Sequence, residues 1–408
     1  MYSALLWLYG KLFKTKGYIL MYRVGKEEVE AIARVVDTKQ FFKINEGLQE
    51  TMHAEEEIRA KFGVDYALLM TSGHAALTSA LISLGIGPGD EVIVPAYTYI
   101  ATAMAVVCAG AMPVIAEVDE NLTLCPIDTE KKITSHTKAI MPVHIQGFPC
   151  KMDAFVELAK KHNLFIIEDA CQADGGSFKG QRLGTIGNAG ALSFNGFKVI
   201  SNGEGGALLT NDRSVFERSL IYHDSSAVAF FGDQLSDVDT QVFCGTEYRA
   251  NELSSAFLRV QVQRLDGILT DLRNNKKYIS DAISSVCKVL PSNDIAGDCG
   301  TTLAIVFDTA EKADAFSKAE GIGGTVPINT GKHVYSNWTP IMNKVGALNP
   351  LMDPFKMEAN RDIVPDYKAD MCPKTLDLLS RVVYIPMDPD HTKEQLDEII
   401  AAVKKALA

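Results

Sequence analysis

Basic residues are in deficit: 40 lysines and arginines stand against 51 aspartates and glutamates, for a formal charge of -11. A chain without a basic surplus is not built around a nucleic-acid polyanion, although a local pocket could still hold one phosphate. No stretch approaches eighteen uninterrupted apolar residues, so no membrane span is expected. The eight cysteines form no C-x-x-C pair and no zinc-ligand spacing, which leaves reduced core thiols in a cytoplasmic protein and no metal site. No cleavable leader is expected either: in MYSALLWLYGKLFKTKGYILM the lysines follow the apolar run instead of preceding it. Residues 1–20 then read as an N-terminal extension, with Met21 a candidate start before the helix-like KEEVEAIARVV.

What remains is a chain of 408 residues, 47% hydrophobic and 22% charged, enough for a large core and more than one domain. Between about Ala67 and Thr210, apolar runs of four to six residues alternate with helical stretches. ALLM precedes HAALTSALISL, EVIVPA precedes YIATAMAVVCAG, AIMPVH precedes MDAFVELAKKH, and LFIIEDA leads to GALSF and GALLT. Runs without polar alternation suit strands buried on both faces, and their alternation with helices predicts an α/β fold with a mainly parallel sheet. After Arg249 a helical pattern continues to Pro291. LAIVF, VVYIP and TKEQLDEIIAAVKKAL then suffice for a smaller C-terminal α/β domain. The expected division is a large domain over 21–269 and a small one over 270–408.

In such sheets ligands sit at the carboxyl ends of strands. Three features fall there. TSGHAAL places Ser72, Gly73 and His74 at a helix start whose free N–H groups could face an anion. LFIIEDACQ ends a buried strand in Glu168 and Asp169, with Gln172 three residues on. SFNGFKVISNGEGG sets Lys198 between Phe197 and Val199–Ile200, after Ser193 and before a glycine-rich turn. A buried lysine must be paired or lose its charge. Singly, each feature has a bland reading: a helix cap, a strand-end carboxylate, a lysine reaching past apolar neighbours to water. Together they supply what a pyridoxal 5'-phosphate enzyme requires: an amine to bind the aldehyde, a carboxylate for the ring nitrogen, hydroxyls and amides for the phosphate. Their order along the chain is that of the aspartate-aminotransferase-like fold (type I), and desolvation by Phe197, Val199 and Ile200 would keep the lysine nucleophilic.

SGHAAL, GIGPGDEVIVPAYTYIATA, KAIMPVHIQGFPCKMD, IIEDACQADGGSFKGQRLGTIGNAGALSF, FKVISNGEGGALLTND and EYRANELSSAFLRVQ together resemble the DegT/DnrJ/EryC1/StrS sugar aminotransferases. The likeness runs from about Val24 to Ala408, and IYHD, HVYSNW and MCPKTLDLLSR are similar to octulosonate transaminases within that family. The resemblance implies Lys198 as the Schiff-base lysine and proton shuttle, Asp169 on the pyridinium nitrogen, Gln172 near the ring hydroxyl, and Tyr99 stacked on the ring. Ser72, Gly73, His74 and Ser193 would line the phosphate. It also implies that His333, Trp338 and Arg249 reach the substrate, with packing the alternative for the first two and a structural salt bridge for Arg249, and that the protein is a homodimer.

Two positions depart from the family pattern, His74 where threonine is usual and Glu247 where asparagine is usual. A desolvated glutamate facing a phosphate is repelled by several kcal/mol. Either His74 as imidazolium pairs with Glu247 across a dimer interface, or Glu247 turns away. His144 reads as a satisfied strand-end histidine, and Cys171 as a space-filling neighbour of the site. The leading expectation is transfer of an amine, from glutamate, to a keto or aldehyde sugar, with ping-pong kinetics. The alternatives are a sugar dehydratase on the same scaffold, where relatives carry histidine in place of the lysine, and a non-catalytic cofactor-binding regulator.

Overall fold

A computed structural model describes residues 22–226 and 238–408. The expected extension at residues 1–20 lies outside the described residues. Helices α1 (Lys26–Thr38) and α2 (Glu50–Phe62) lead into β1 (Tyr66–Met70), α3 (Gly73–Ser83), β2 (Glu91–Pro95), α4 (Ala101–Cys108) and β3 (Met112–Ala116). A short α5 (Pro126–Lys131) precedes β4 (Thr137–Ile140), α6 (Met152–His162) and β5 (Phe165–Asp169). The small hairpin β6 (Ser177–Phe178) and β7 (Gln181–Arg182) is followed by β8 (Ala189–Ser193), β9 (Gly206–Thr210) and α7 (Arg213–His223). The long α8 (Glu252–Ile283) then opens the C-terminal part, with β10 (Lys288–Val289), β11 (Thr302–Val306), α9 (Ala310–Ser317), α10 (Thr339–Met342), α11 (Pro373–Ser380), β12 (Val382–Pro386) and α12 (Lys393–Leu407).

Seven strands form the main sheet in the order β1-β9-β8-β5-β4-β2-β3. All run parallel except β9, which pairs antiparallel with both β1 and β8. The fold is thus α/β with a mainly parallel sheet, as the uninterrupted apolar runs predict. Strand side chains alternate between faces, so one strand feeds two cores. Leu69, Ile93, Ile166, Leu192 and Leu209 pack with α2, α6 and α8. Leu68, Met70, Val92, Val94, Ile167, Ala191 and Leu208 pack with α3 and α4. Of the main-sheet strands, β3 is the one that the sequence reading omits. Its MPVIA follows a glycine turn directly after α4, so the apolar helix and apolar strand merge into one run.

Helix α8 begins at an Asn251 cap that accepts from the Ser254 N–H at 3.0 Å. It continues unbroken past residue 270. Charged pairs fasten the N-terminal helices to it: Arg264 with Glu27 and Glu28, and Arg259 with Glu50 and Glu57. The buried Glu252 carboxylate also accepts from the Glu50 and Thr51 N–H groups that start α2. A second sheet, β10-β11-β12, is antiparallel throughout. Among the described residues no helix is long and apolar enough to cross a membrane.

Candidate active site

The carboxyl end of β5 is the fixed point of the site. Glu168 and Asp169 are adjacent and point to opposite faces, and both accept hydrogen bonds on each oxygen. Glu168 is buried and accepts from the Gly184, Ile186 and Gly187 N–H groups at 2.9, 2.6 and 2.7 Å. His144 Nε2 lies 3.1 Å from the same carboxylate, while His144 Nδ1 accepts from the Cys150 N–H at 3.0 Å. An Nδ1 that accepts leaves the proton on Nε2, so the imidazole donates to Glu168. His144 is therefore a satisfied strand-end residue.

Asp169 is 4% exposed. Its Oδ2 accepts from the Thr102 hydroxyl at 2.7 Å and its Oδ1 from the Cys171 N–H at 3.1 Å. Thr102 in turn lies 2.7 Å from the Thr98 hydroxyl. Sequence reasoning missed Thr102, whose signal was a hydroxyl in the first turn of a helix that follows a neighbouring strand. Gln172 accepts from the Gln146 N–H at 3.1 Å through its carbonyl, which leaves its amide hydrogens to donate elsewhere. Gln146 is itself tied to Thr301 and Thr302 of the C-terminal part.

Helix α3 opens beside this strand end. Ser72 caps it, accepting from the Ala75 N–H at 3.0 Å, so the Ser72 O–H remains available to donate. Two glycines allow the surrounding backbone to close in. A Cβ on Gly73 would stand 2.6 Å from Cys171 Sγ and 2.9 Å from Ser193 Cβ. A Cβ on Gly206 would stand 2.3 Å from the Ser72 carbonyl carbon and 2.5 Å from the Gly73 nitrogen. The result is a cradle at a helix N-terminus, walled by Ser72, Gly73 and Ser193, the donor set a phosphate group needs. Cys171 fills the space beneath it, and burial pushes its thiol well above the ordinary range. His74 faces inward with Nδ1 3.3 Å from the Ala101 carbonyl. Burial lowers its pKa, which outweighs the raising effects of that carbonyl and of Asp169. The expected imidazolium is thereby disfavoured.

Lys198 stands on the connection between β8 and β9. Backbone bonds close the neck of that loop: Phe194 N–H to Gly205 O at 2.8 Å, Asn202 N–H to Phe194 O at 3.1 Å, and Gly196 N–H to Gly203 O at 3.0 Å. Val199 and Ile200 are buried as expected, but Phe197 is 60% exposed. The turn at Asn195–Lys198 carries the Phe197 ring outward, so it contributes no desolvation to the lysine. Its neighbours are instead charged or polar: Asp174, Cys171 and His333 all lie close enough to interact with the Lys198 charge.

From the C-terminal part, the segment around Lys332–His333 reaches the same rim. The Thr98 and Ile100 N–H groups donate to the His333 and Lys332 carbonyls at 2.9 and 3.1 Å. Tyr99 lies between them, its ring 5.6 Å from the His333 ring and 4.9 Å from Lys332 Nζ. Burial pushes His333 down to about 4, with Lys332 and Lys198 adding to the effect and a Thr330 backbone contact opposing it. Trp338 does not reach the site. It is fully buried, and its indole N–H donates to the Lys332 carbonyl at 3.0 Å, so it supports the segment from behind. Arg249 is likewise taken up within its own chain: it pairs with Glu247 at 2.6 Å, donates to the Asp224 carbonyl at 3.2 Å and stacks 4.9 Å over Phe42. Glu247 thus has a partner other than His74.

The family model for the DegT/DnrJ/EryC1/StrS aminotransferase family matches residues 23–326. GDP-perosamine synthase of Escherichia coli O157:H7 is 37% identical over 252 residues, 62% of this chain and 68% of that protein. Alignments with two further relatives span 58% and 60% of those proteins. The spore coat polysaccharide biosynthesis protein SpsC of Bacillus subtilis is 29% identical over 93% of this chain and 94% of its own length. Among solved structures, S. venezuelae DesV in complex with a ketimine intermediate superposes with a TM-score of 0.75 at 29% identity, covering 94% of this chain and 95% of that one.

Proposed function

The chain belongs to the DegT/DnrJ/EryC1/StrS aminotransferase family, and from that premise we propose that it moves an amino group from glutamate to the carbonyl of a keto or aldehyde sugar. The relatives named for perosamine and for spore coat polysaccharide support amino-sugar biosynthesis as the setting. The cofactor would be pyridoxal 5'-phosphate, and the observation that carries the reading is the company Asp169 keeps. A buried carboxylate held by two donors shares one rim with Lys198 and with the glycine-lined N-terminus of α3.

In this reading the Ser72 and Ser193 hydroxyls and the first N–H groups of α3 hold the phosphate, and Gly73 and Gly206 keep the cradle open to it. Bound there, pyridoxal phosphate supplies an electron-withdrawing ring that acidifies the substrate carbon bearing the nitrogen. Asp169 holds a proton on the ring nitrogen, oriented by Thr102 and the Cys171 N–H. Tyr99 covers one side of the site, and Gln172 offers its amide hydrogens to the ring oxygen. Lys198 binds the cofactor through its amine and then moves the proton at the reacting carbon. His333, kept neutral near pH 7, can accept a hydrogen bond from a sugar hydroxyl. The homodimer, and a division into two units sharing α8, belong to the same proposal.

Retention of Lys198, where dehydratases on this scaffold carry histidine, favours transamination over water elimination. The test is an absorbance spectrum of wild type and Lys198→Ala with pyridoxal phosphate, before and after glutamate. The wild type should show a lysine-bound visible band that glutamate bleaches, and Lys198→Ala should show neither. Bound cofactor that no amino acid converts would overturn the reading in favour of a regulator.

A further inference from the structure

Lys332 is exposed and, among the described residues, has no carboxylate within ion-pair distance. Its Nζ stands 4.9 Å from the centre of the Tyr99 ring, and Tyr99 is 39% exposed. A chain of hydrogen bonds that starts at Asp169 ties this pair to the site. Asp169 accepts from Thr102 at 2.7 Å, Thr102 lies 2.7 Å from the Thr98 hydroxyl, and the Thr98 N–H donates to the His333 carbonyl at 2.9 Å. The path runs from a buried carboxylate to a cation that faces solvent, so Lys332 stands at the mouth.

The backbone that carries Lys332 is held on several sides. The Ile100 N–H and the Trp338 indole N–H both donate to the Lys332 carbonyl, at 3.1 and 3.0 Å. The Val334 N–H and the Asn337 amide donate to the Gly331 carbonyl at 3.1 and 3.0 Å, and the Tyr335 N–H donates to the Ala96 carbonyl at 3.0 Å. A lysine on an unsupported loop spreads its charge over many positions. Here the stem leaves a fixed backbone, and the ammonium is drawn to an aromatic face while its other N–H groups stay open to a ligand.

We propose that Lys332 selects an acceptor sugar that carries an anionic group, a carboxylate or a phosphate, at the end away from the reacting carbonyl. The proposal rests on the aminotransferase reading for the way the sugar enters. A chain of net charge -11 repels an anion at long range, so an anionic acceptor needs a cation at the entrance. Lys198 cannot serve, because in that reading its amine binds the cofactor. The Tyr99 and His333 rings lie 5.6 Å apart, so an imidazole and an ammonium flank one aromatic ring, the pairing that suits the hydroxyls and the anion of one sugar. An ammonium is a compact charge without the planar fork of arginine, and it takes a carboxylate or a phosphate alike.

Three pyranoses of one size separate the two sources: glucose, glucuronate and glucose 1-phosphate. The readout is trace acetylation of Lys332 with acetic anhydride, followed by mass spectrometry, on protein carrying pyridoxamine phosphate. Glucuronate or glucose 1-phosphate should protect Lys332 at concentrations about tenfold below those at which glucose does, the effect of one charged hydrogen bond. The exposed Lys404 of α12 should stay unprotected. Protection by glucuronate alone identifies a sugar acid, by glucose 1-phosphate alone a sugar phosphate, and by both an anion of either kind. Lys332→Gln should weaken binding of the protecting probe about tenfold by calorimetry, and Lys332→Arg should restore it. Equal protection by all three probes, protection by none, or protection by glutamate as strong as by the anionic sugars would overturn the proposal. Labelling is read on cofactor-free protein as well, so a failure to take up cofactor counts against transamination alone.

Discussion

The Thr102 hydroxyl donates to Asp169 Oδ2 at 2.7 Å while facing the Thr98 hydroxyl at 2.7 Å. Asp169 is thus oriented by a two-hydroxyl chain from a different element. Thr102→Val keeps the shape, removes the donor and takes from Thr98 its short hydroxyl partner. A charge-assisted hydrogen bond contributes about 1.5–3 kcal/mol, so cofactor affinity should fall roughly tenfold or more. Titration of pyridoxal phosphate against both proteins measures it, and unchanged affinity would show that Asp169 needs no such support.

Gly206→Ala places a methyl 2.3 Å from backbone of the α3 cap. Backbone cannot swing aside as a side chain can, so the helix start must move. Overpacking of this kind costs about 1–3 kcal/mol, and the expected result is a lower Tm together with weakened cofactor binding. Gly203→Ala in the same loop, where nothing lies within 4 Å but φ is +92°, should lower stability through backbone strain while leaving the cradle intact.

His144→Phe removes one of four donors to a buried carboxylate. Losing a hydrogen bond to a buried charged group costs about 1.5–3 kcal/mol, lessened here because the Gly184, Ile186 and Gly187 N–H groups remain. The denaturation midpoint should drop clearly, whereas a Glu168→Gln, His144→Phe double variant should be less destabilised than the two single effects added.

The depressed His333 pKa carries a pH signature. Its folded pKa is about 4 against 6.5, so between those values the unfolded chain binds more protons and stability falls as pH falls. His333→Asn should flatten that part of the stability curve, by at most about 3 kcal/mol, with no difference above pH 7. Chemical denaturation of both proteins across the window checks it, and parallel curves would contradict the assignment.

Glu247 pairs with Arg249 at a half-exposed site, an arrangement worth about 0–1 kcal/mol. Glu247→Ala should leave Tm and pyridoxal phosphate affinity close to wild type. A marked change in affinity would bring Glu247 back to the phosphate.

The local parts of this site were readable because they leave local marks. Asp169 ends an apolar run and Lys198 precedes a glycine turn, so both could be placed from spacing alone. The failures are those of direction and distance. Phe197 and Val199 look alike in sequence, but a turn sends one ring to solvent. Trp338 and His333 lie five residues apart, yet a short helical turn puts the first in the core and the second at the rim. Thr102 was invisible as a functional candidate because its partner, Asp169, comes from another strand.

The antiparallel position of β9 also bears on how the site is assembled. Lys198 lies between two strands that are neighbours in sequence and in space, so its loop closes as a long hairpin in which Ser193 pairs with Gly206. Asp169 reaches the same rim through parallel pairings, with β4 across helix α6 and with β8 across the β6–β7 hairpin, so amine and carboxylate are delivered to one rim by separate segments.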